Sequence, residues 1–267
     1  MRTVLLIAGD SVRALLHRRL LLALMIVSLA LSVAFSVMFS EMREGFTDRA
    51  TTDSTDGSAK MSEAEGRKAR EQMESLSFTF QGFFYIVTSF GGSLVALFIF
   101  STAVSAEIRS GTIRLTLAKP VTRTQFLLGK YLGGVVVMAG YALLASGAIF
   151  AFTLSQQLEL SPAMTYAPWL MFCKQLMLGS VALLLALFVH PMVAAAIAFF
   201  AGNGFYSQRN PLYYILPSYG DFDLYGEMFS GTLVSASDVA WLSLYAADFV
   251  AIVMLLALWR FRTKELV

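Results

Sequence analysis

Residues Ala106 to Gly133 read AEIRSGTIRLTLAKPVTRTQFLLGKYLG, and this stretch decides how the rest of the chain is read. It is a long basic connector between two apolar runs, Phe78 to Ala106 and Tyr131 to Leu154, neither of which holds a charged residue. Runs of that length cross a hydrocarbon core roughly 30 Å thick. The connector therefore lies at a membrane surface. Its cations Arg109, Arg114, Lys119, Arg123 and Lys130 stand against one acid, Glu107, and a surplus of Lys and Arg beside spans marks the cytoplasmic side.

The order of residues predicts local shape. Ser110-Gly111 ends the incoming helix, because glycine enters the left-handed region at little cost, and Thr112 caps a new short helix. Pro120 stops that helix within about two turns. Thr122 caps the next one, with Phe126, Leu127 and Leu128 leading back into the membrane. Ile113 to Leu117 also alternates with period two, so the pattern leaves a strand open at that point.

The run Glu107, Gly111-Thr112, Leu117, Pro120, Arg123 and Gly129-Lys130 resembles the E…GT…L…P…R…GK signature of the ABC type 2 permeases, membrane subunits of many bacterial exporters. That resemblance implies a coupling helix in this connector, docked on a separate cytosolic ATPase that holds ATP and Mg, with no cofactor bound by this chain. It implies ATPase-coupling roles for Glu107, Arg109, Gly111, Thr112, Arg114, Lys119, Pro120 and Arg123, and pairing with a second permease copy or a homologous permease. Tyr213 to Pro217, Asp221 to Leu224 and Phe261 to Leu266 are similar to the branch linked with nitrous-oxide reductase maturation and gliding machinery.

Composition points the same way. Of 267 residues, 57% are hydrophobic and 14% charged, which excludes an ordinary soluble domain. The fold class expected is all-α: one polytopic permease domain over 1–267, with six transmembrane helices, both termini cytoplasmic, in the cell (inner) membrane. Residues 1–19 place Val4, Ala8, Val12 and Leu15 on one face, as an elbow helix in the interface does. The first span, Leu20 to Phe39, is long for a signal peptide and lacks a clear cleavage site.

Residues 40–77 reverse character, with nine acids and six bases. They form an extracytoplasmic loop whose later half, from Ser62 to Leu76, reads as a charged helix. It is either a docking arm for an extracytoplasmic partner or a solvated excursion. Span two carries small residues such as Gly91, Gly92, Ser93 and Ser101, which serve close helix packing in lipid, within the chain or between subunits. Span three, Tyr131 to Phe152, is entered through Gly129-x-x-x-Gly133, a spacing common by chance.

Span four, Trp169 to Val189, has Lys174 near the outer interface, within snorkelling reach. His190-Pro191 makes a turn, and Met192 to Tyr206, within re-entrant length, is read as a short fifth span, because merging it with span four as one helix kinked at Pro191 would leave five spans and put Arg260, Arg262 and Lys264 outside. Residues 207–240 form an extracytoplasmic cap, and Trp241 to Trp259 is the last span. It holds Asp248, an acid inside a span and so a candidate intramembrane polar site.

Several chemistries are missing. Gly129-Lys130 has neither the upstream glycine nor the following Ser or Thr of a phosphate loop. HExxH, CxxC and EF-hand patterns are absent from the sequence, and one Cys with two His offers little for a metal. Basic residues scattered at span ends do not form the stripe of a nucleic-acid binder. An ATP-driven exporter permease is the leading reading. A membrane anchor holding an extracytoplasmic partner is the alternative, and an intramembrane enzyme lacks its constellation.

Overall fold

A computed structural model describes residues 2–53, 63–109, 121–155, 157–202 and 217–263. Among the described residues every regular element is helical. The helices are α1 (Arg2–Leu16), α2 (Arg19–Asp53), α3 (Glu63–Arg109), α4 (Arg123–Ser155), α5 (Ala167–Ala186), α6 (Pro191–Gly202), α7 (Tyr225–Ser230) and α8 (Ala236–Thr263). Short 3-10 turns occupy Pro162–Thr165 and Tyr219–Phe222. The strand reading of Ile113 to Leu117 falls outside the described residues.

Among the described residues, four helices are long and apolar enough to cross a membrane: α3 over Glu74–Glu107, α4, α5 and α8. A fifth candidate is the pair α1 and α2, which meet at 68° beside His17 and Arg18. α6 has 12 residues and is about 18 Å long, short of the hydrocarbon thickness. The fifth span expected over Met192 to Tyr206 is thus described only as far as Gly202. α6 doubles back along α5, since a side chain added at Gly202 would strike Leu178, midway along that helix.

Burial sets the layers. Two thirds of the apolar window is buried in α3 and in α5, against 33% in α4 and 22% in α8, so α3 and α5 form the centre and α4 and α8 the flanks. One core cluster fills the end near the cap, around Phe80, Phe84, Met171, Phe222 and Met228. The other fills the opposite, basic end, around Leu21, Phe100, Phe126, Tyr141 and Phe261.

Residues 40–77 are helical over Ser40–Asp53 and Glu63–Ser77, so the excursion is largely the continuation of α2 and α3 beyond the spans, and the expected charged helix is the start of α3. The cap packs on the bundle. α7 ends at Gly231, whose φ of 65° is left-handed, and there a Cβ would also meet the Phe78 ring. Lower down, Gln81 of α3 donates to Glu159 O at 2.6 Å and accepts from Ser161 N at 2.9 Å, satisfying the loop between α4 and α5.

The Gly129-x-x-x-Gly133 spacing has a structural use. A Cβ at Gly129 would lie 2.7 Å from Ile7 Cβ, and one at Gly133 would lie 2.6 Å from Ser11 Cβ and 3.0 Å from the Ala8 carbonyl. The two glycines form the flat seat on which α1 lies, with Ala8, Ser11 and Leu15 buried. This is close packing of the kind small residues permit in lipid.

Candidate functional site

The connector is framed by two helix ends. α3 is described as far as Arg109, and the helix stop expected at Ser110-Gly111 lies outside the described residues. α4 opens with a reciprocal cap in which Gln125 N donates to Thr122 Oγ1 at 3.2 Å and Thr122 N donates to Gln125 Oε1 at 3.1 Å. Two of the backbone donors that a helix start leaves unmatched are thereby satisfied. The ends are clamped together by an ion pair between Glu107 and Lys130, and Lys130 also lies over the Phe126 ring.

Arg123 reaches across to the end of α8. Its guanidinium donates to Phe261 O at 3.3 Å and Arg262 O at 3.1 Å, carbonyls at the unmatched C-terminal end of α8. In return Arg262 donates to Thr124 Oγ1, at 2.9 Å from Nη2, and the Phe126 and Phe261 rings stack 6.0 Å apart. The start of α4 and the end of α8 are one joint. Nearby, Arg18 donates to Thr102 Oγ1 at 2.9 Å, tying the α1–α2 corner to α3.

Of the expected coupling residues, Glu107 and Arg123 are therefore brought to one end of the bundle and engaged within the chain. Arg109 is the last described residue of α3. Gly111, Thr112, Arg114, Lys119 and Pro120 lie outside the described residues.

The bundle interior holds polar groups that the sequence reading did not single out. Tyr141 OH donates to Thr88 O at 3.0 Å and lies 2.7 Å from Ser28 Oγ. Ser32 and Thr88 hydroxyls are 3.1 Å apart. This links α2, α3 and α4 where irregular polar exposure to lipid is excluded. The small face of span two is spent here: Gly91 lies against Ser28, and Gly92 against Gln175 and Tyr141. Gln175 itself is fully buried, and both amide atoms lack a hydrogen-bond partner. That is an unusual cost for a buried carboxamide.

Next to it, Lys174 departs from its expected role. Instead of snorkelling it is 4% exposed and pairs with Asp223 at 2.6 Å, because the cap brings a carboxylate down to it and a buried ammonium requires one. Ser89 Oγ approaches Asp223 at 3.5 Å, and Tyr85 OH donates to Phe222 O at 3.2 Å. Such a pair is legible only once 174 and 223 are adjacent. Asp248 lies elsewhere, exposed on the flank of α8.

The arrangement offers joints at the basic end, buried polar contacts within and a cap over the opposite end. A family model described as ABC-2 family transporter protein matches residues 6–202. No curated protein matches the chain. The matched region runs from α1 through α6 and takes in the connector, and the chain is a multi-pass membrane protein that belongs to the ABC-2 transporter family, as a permease subunit of an ABC transporter.

Proposed function

We propose that this chain is one half of an ATP-driven exporter: six spans, both termini cytoplasmic, α1 as the elbow helix, set in the cell membrane and paired with a second permease. Membership of the family implies an ABC ATPase partner in general. ATP and Mg belong to that partner. The observation that carries the reading is the joint of Arg123 and Arg262, which lies at the exit of the connector and ties it to the last span. Movement of the connector when the ATPases close is then passed to α4 and α8 together.

The roles divide within the connector. Glu107 and Arg123 hold its frame, Arg109, Arg114 and Lys119 meet the ATPase, and Gly111, Thr112 and Pro120 shape the element between. Residues 40–77 serve as the place where an extracytoplasmic partner docks, and the finer likeness to the maturation and gliding branch rests on Tyr213 to Pro217 and Phe261 to Leu266.

The test is a detergent pull-down of the tagged chain from its native membrane, with ATP hydrolysis and mass spectrometry of what is recovered. Expected is a soluble ATPase with a phosphate loop, lost when Arg114 and Lys119 are reversed to Glu while membrane insertion persists. Recovery of extracytoplasmic proteins alone, without hydrolysis, overturns the permease reading in favour of an anchor.

A further inference from the structure

The Lys174–Asp223 pair is asymmetric. Its cation belongs to α5, a central helix with two thirds of its apolar window buried. Its anion stands between the four-residue turn Tyr219–Phe222 and the six-residue α7, on short elements of the cap rather than on a span. Within the spans nothing can take the carboxylate's place. Positions 20–39, 78–106, 131–154 and 167–202 hold no Asp or Glu, and Asp248 of α8 is exposed on the flank. Without Asp223, Lys174 is a buried ammonium with no anion, a costly state in any protein interior. Release of the cap is therefore easiest in exchange for another anion.

The groups around the pair suit such an exchange. Ser89 Oγ lies 3.5 Å from Asp223 Oδ1, and Tyr85 OH donates to Phe222 O at 3.2 Å. The two hydroxyls share one face of α3 at i, i+4 spacing, and the cap engages both. An ammonium with two hydroxyls is a set of donors to an oxyanion. One turn further along α3 is Gly92, and against it lies the fully buried Gln175 amide, which has no hydrogen-bond partner. A mere staple needs no such spare donor, and two apolar side chains would hold the cap as well. We propose that Lys174 is the binding point for an oxyanion, a phosphate or carboxylate of the transported molecule, and that Asp223 is its resident stand-in, displaced with the cap when the ligand arrives. Ser89, Tyr85 and Gln175 supply the further donors. The proposal rests on the permease reading and adds to it the chemical class of the substrate.

The full chain in neutral detergent is titrated with phosphatidylglycerol, inorganic phosphate or acetate, with phosphatidylcholine and chloride as controls, and thermal unfolding is followed. Asp223→Asn should be stabilised by an oxyanion at a half-saturating concentration at least about ten-fold below that of the unsubstituted chain, because its Lys174 lacks a competitor. Lys174→Met with Asp223→Leu should show no shift. Response to phosphatidylglycerol alone assigns a lipid-borne anion, response to phosphate or acetate a free one, and either supports the site. Equal shifts in all three chains, or none in any, overturn it. Where Asp223→Asn is not recovered folded, Met228→Cys in a Cys173→Ser chain decides, since it keeps the ion pair and Met228 is fully buried under the cap. The oxyanion should speed its maleimide labelling at least about five-fold, and Lys174→Met should abolish that dependence. A rate that oxyanions leave unchanged with Lys174 intact makes the pair a static staple and overturns the proposal. ATPase recovery with the tagged chain is scored alongside. An ATPase recovered while no oxyanion acts rejects the site alone, and oxyanion binding without an ATPase keeps the site and rejects the permease reading.

Discussion

Lys174 and Asp223, far apart in the chain, meet with their charged atoms 2.6 Å apart, and their side chains are only 5% and 14% exposed. An ion pair thus joins a central helix to the cap over it, with Tyr85 and Ser89 beside it.

Removing one partner strands the other charge. Lys174→Met or Asp223→Asn should each cost about 3–5 kcal/mol, whereas the double change Lys174→Met with Asp223→Leu should cost much less than their sum. Thermal unfolding in detergent measures all three, and strictly additive losses would show that the charges do not depend on each other.

The glycine seat is specific in shape. Gly133→Leu would drive a side chain into Ser11 and the Ala8 carbonyl, displacing α1 at a cost of about 1–3 kcal/mol. Gly140→Leu, where nothing lies within 4 Å, is the matched control. Protease accessibility of the first sixteen residues should rise for the former only.

At the basic end, Arg123→Ala should uncouple α4 from α8 by leaving the Phe261 and Arg262 carbonyls without their donor. Hydrogen bonds from a charged donor contribute about 1.5–3 kcal/mol. ATPase stimulation by the reconstituted complex should fall while the chain still inserts. Unchanged stimulation would mean that the joint carries no signal.

Gln175 and Tyr141 should respond in opposite directions. Tyr141→Phe loses two partners, Thr88 O and Ser28 Oγ, at a cost of about 0.6–1.7 kcal/mol in a membrane bundle. Gln175→Leu removes two unmatched polar atoms and should leave stability equal or higher. If Gln175→Leu gains stability yet loses transport, the buried amide is kept for a conformation in which it finds its partners.

Helix identity was readable from the sequence because uncharged runs in a bilayer have few alternatives, and the cap at Thr122 was readable because its partner Gln125 is local. The Gly129-x-x-x-Gly133 spacing was visible, but not its use, since the partner is a helix more than a hundred residues earlier. Lys174 was misplaced for the same reason: a lysine near a span end reads as snorkelling until Asp223 is brought to it by the fold. The tyrosine and serine contacts around Thr88 depend on three helices meeting, and no periodicity of one helix encodes that.

The reciprocal cap at Thr122 and Gln125 closes the start of α4, and the Glu107–Lys130 pair fastens that start to α3. The two helices are riveted at the base, so they can splay only toward the far end of the bundle.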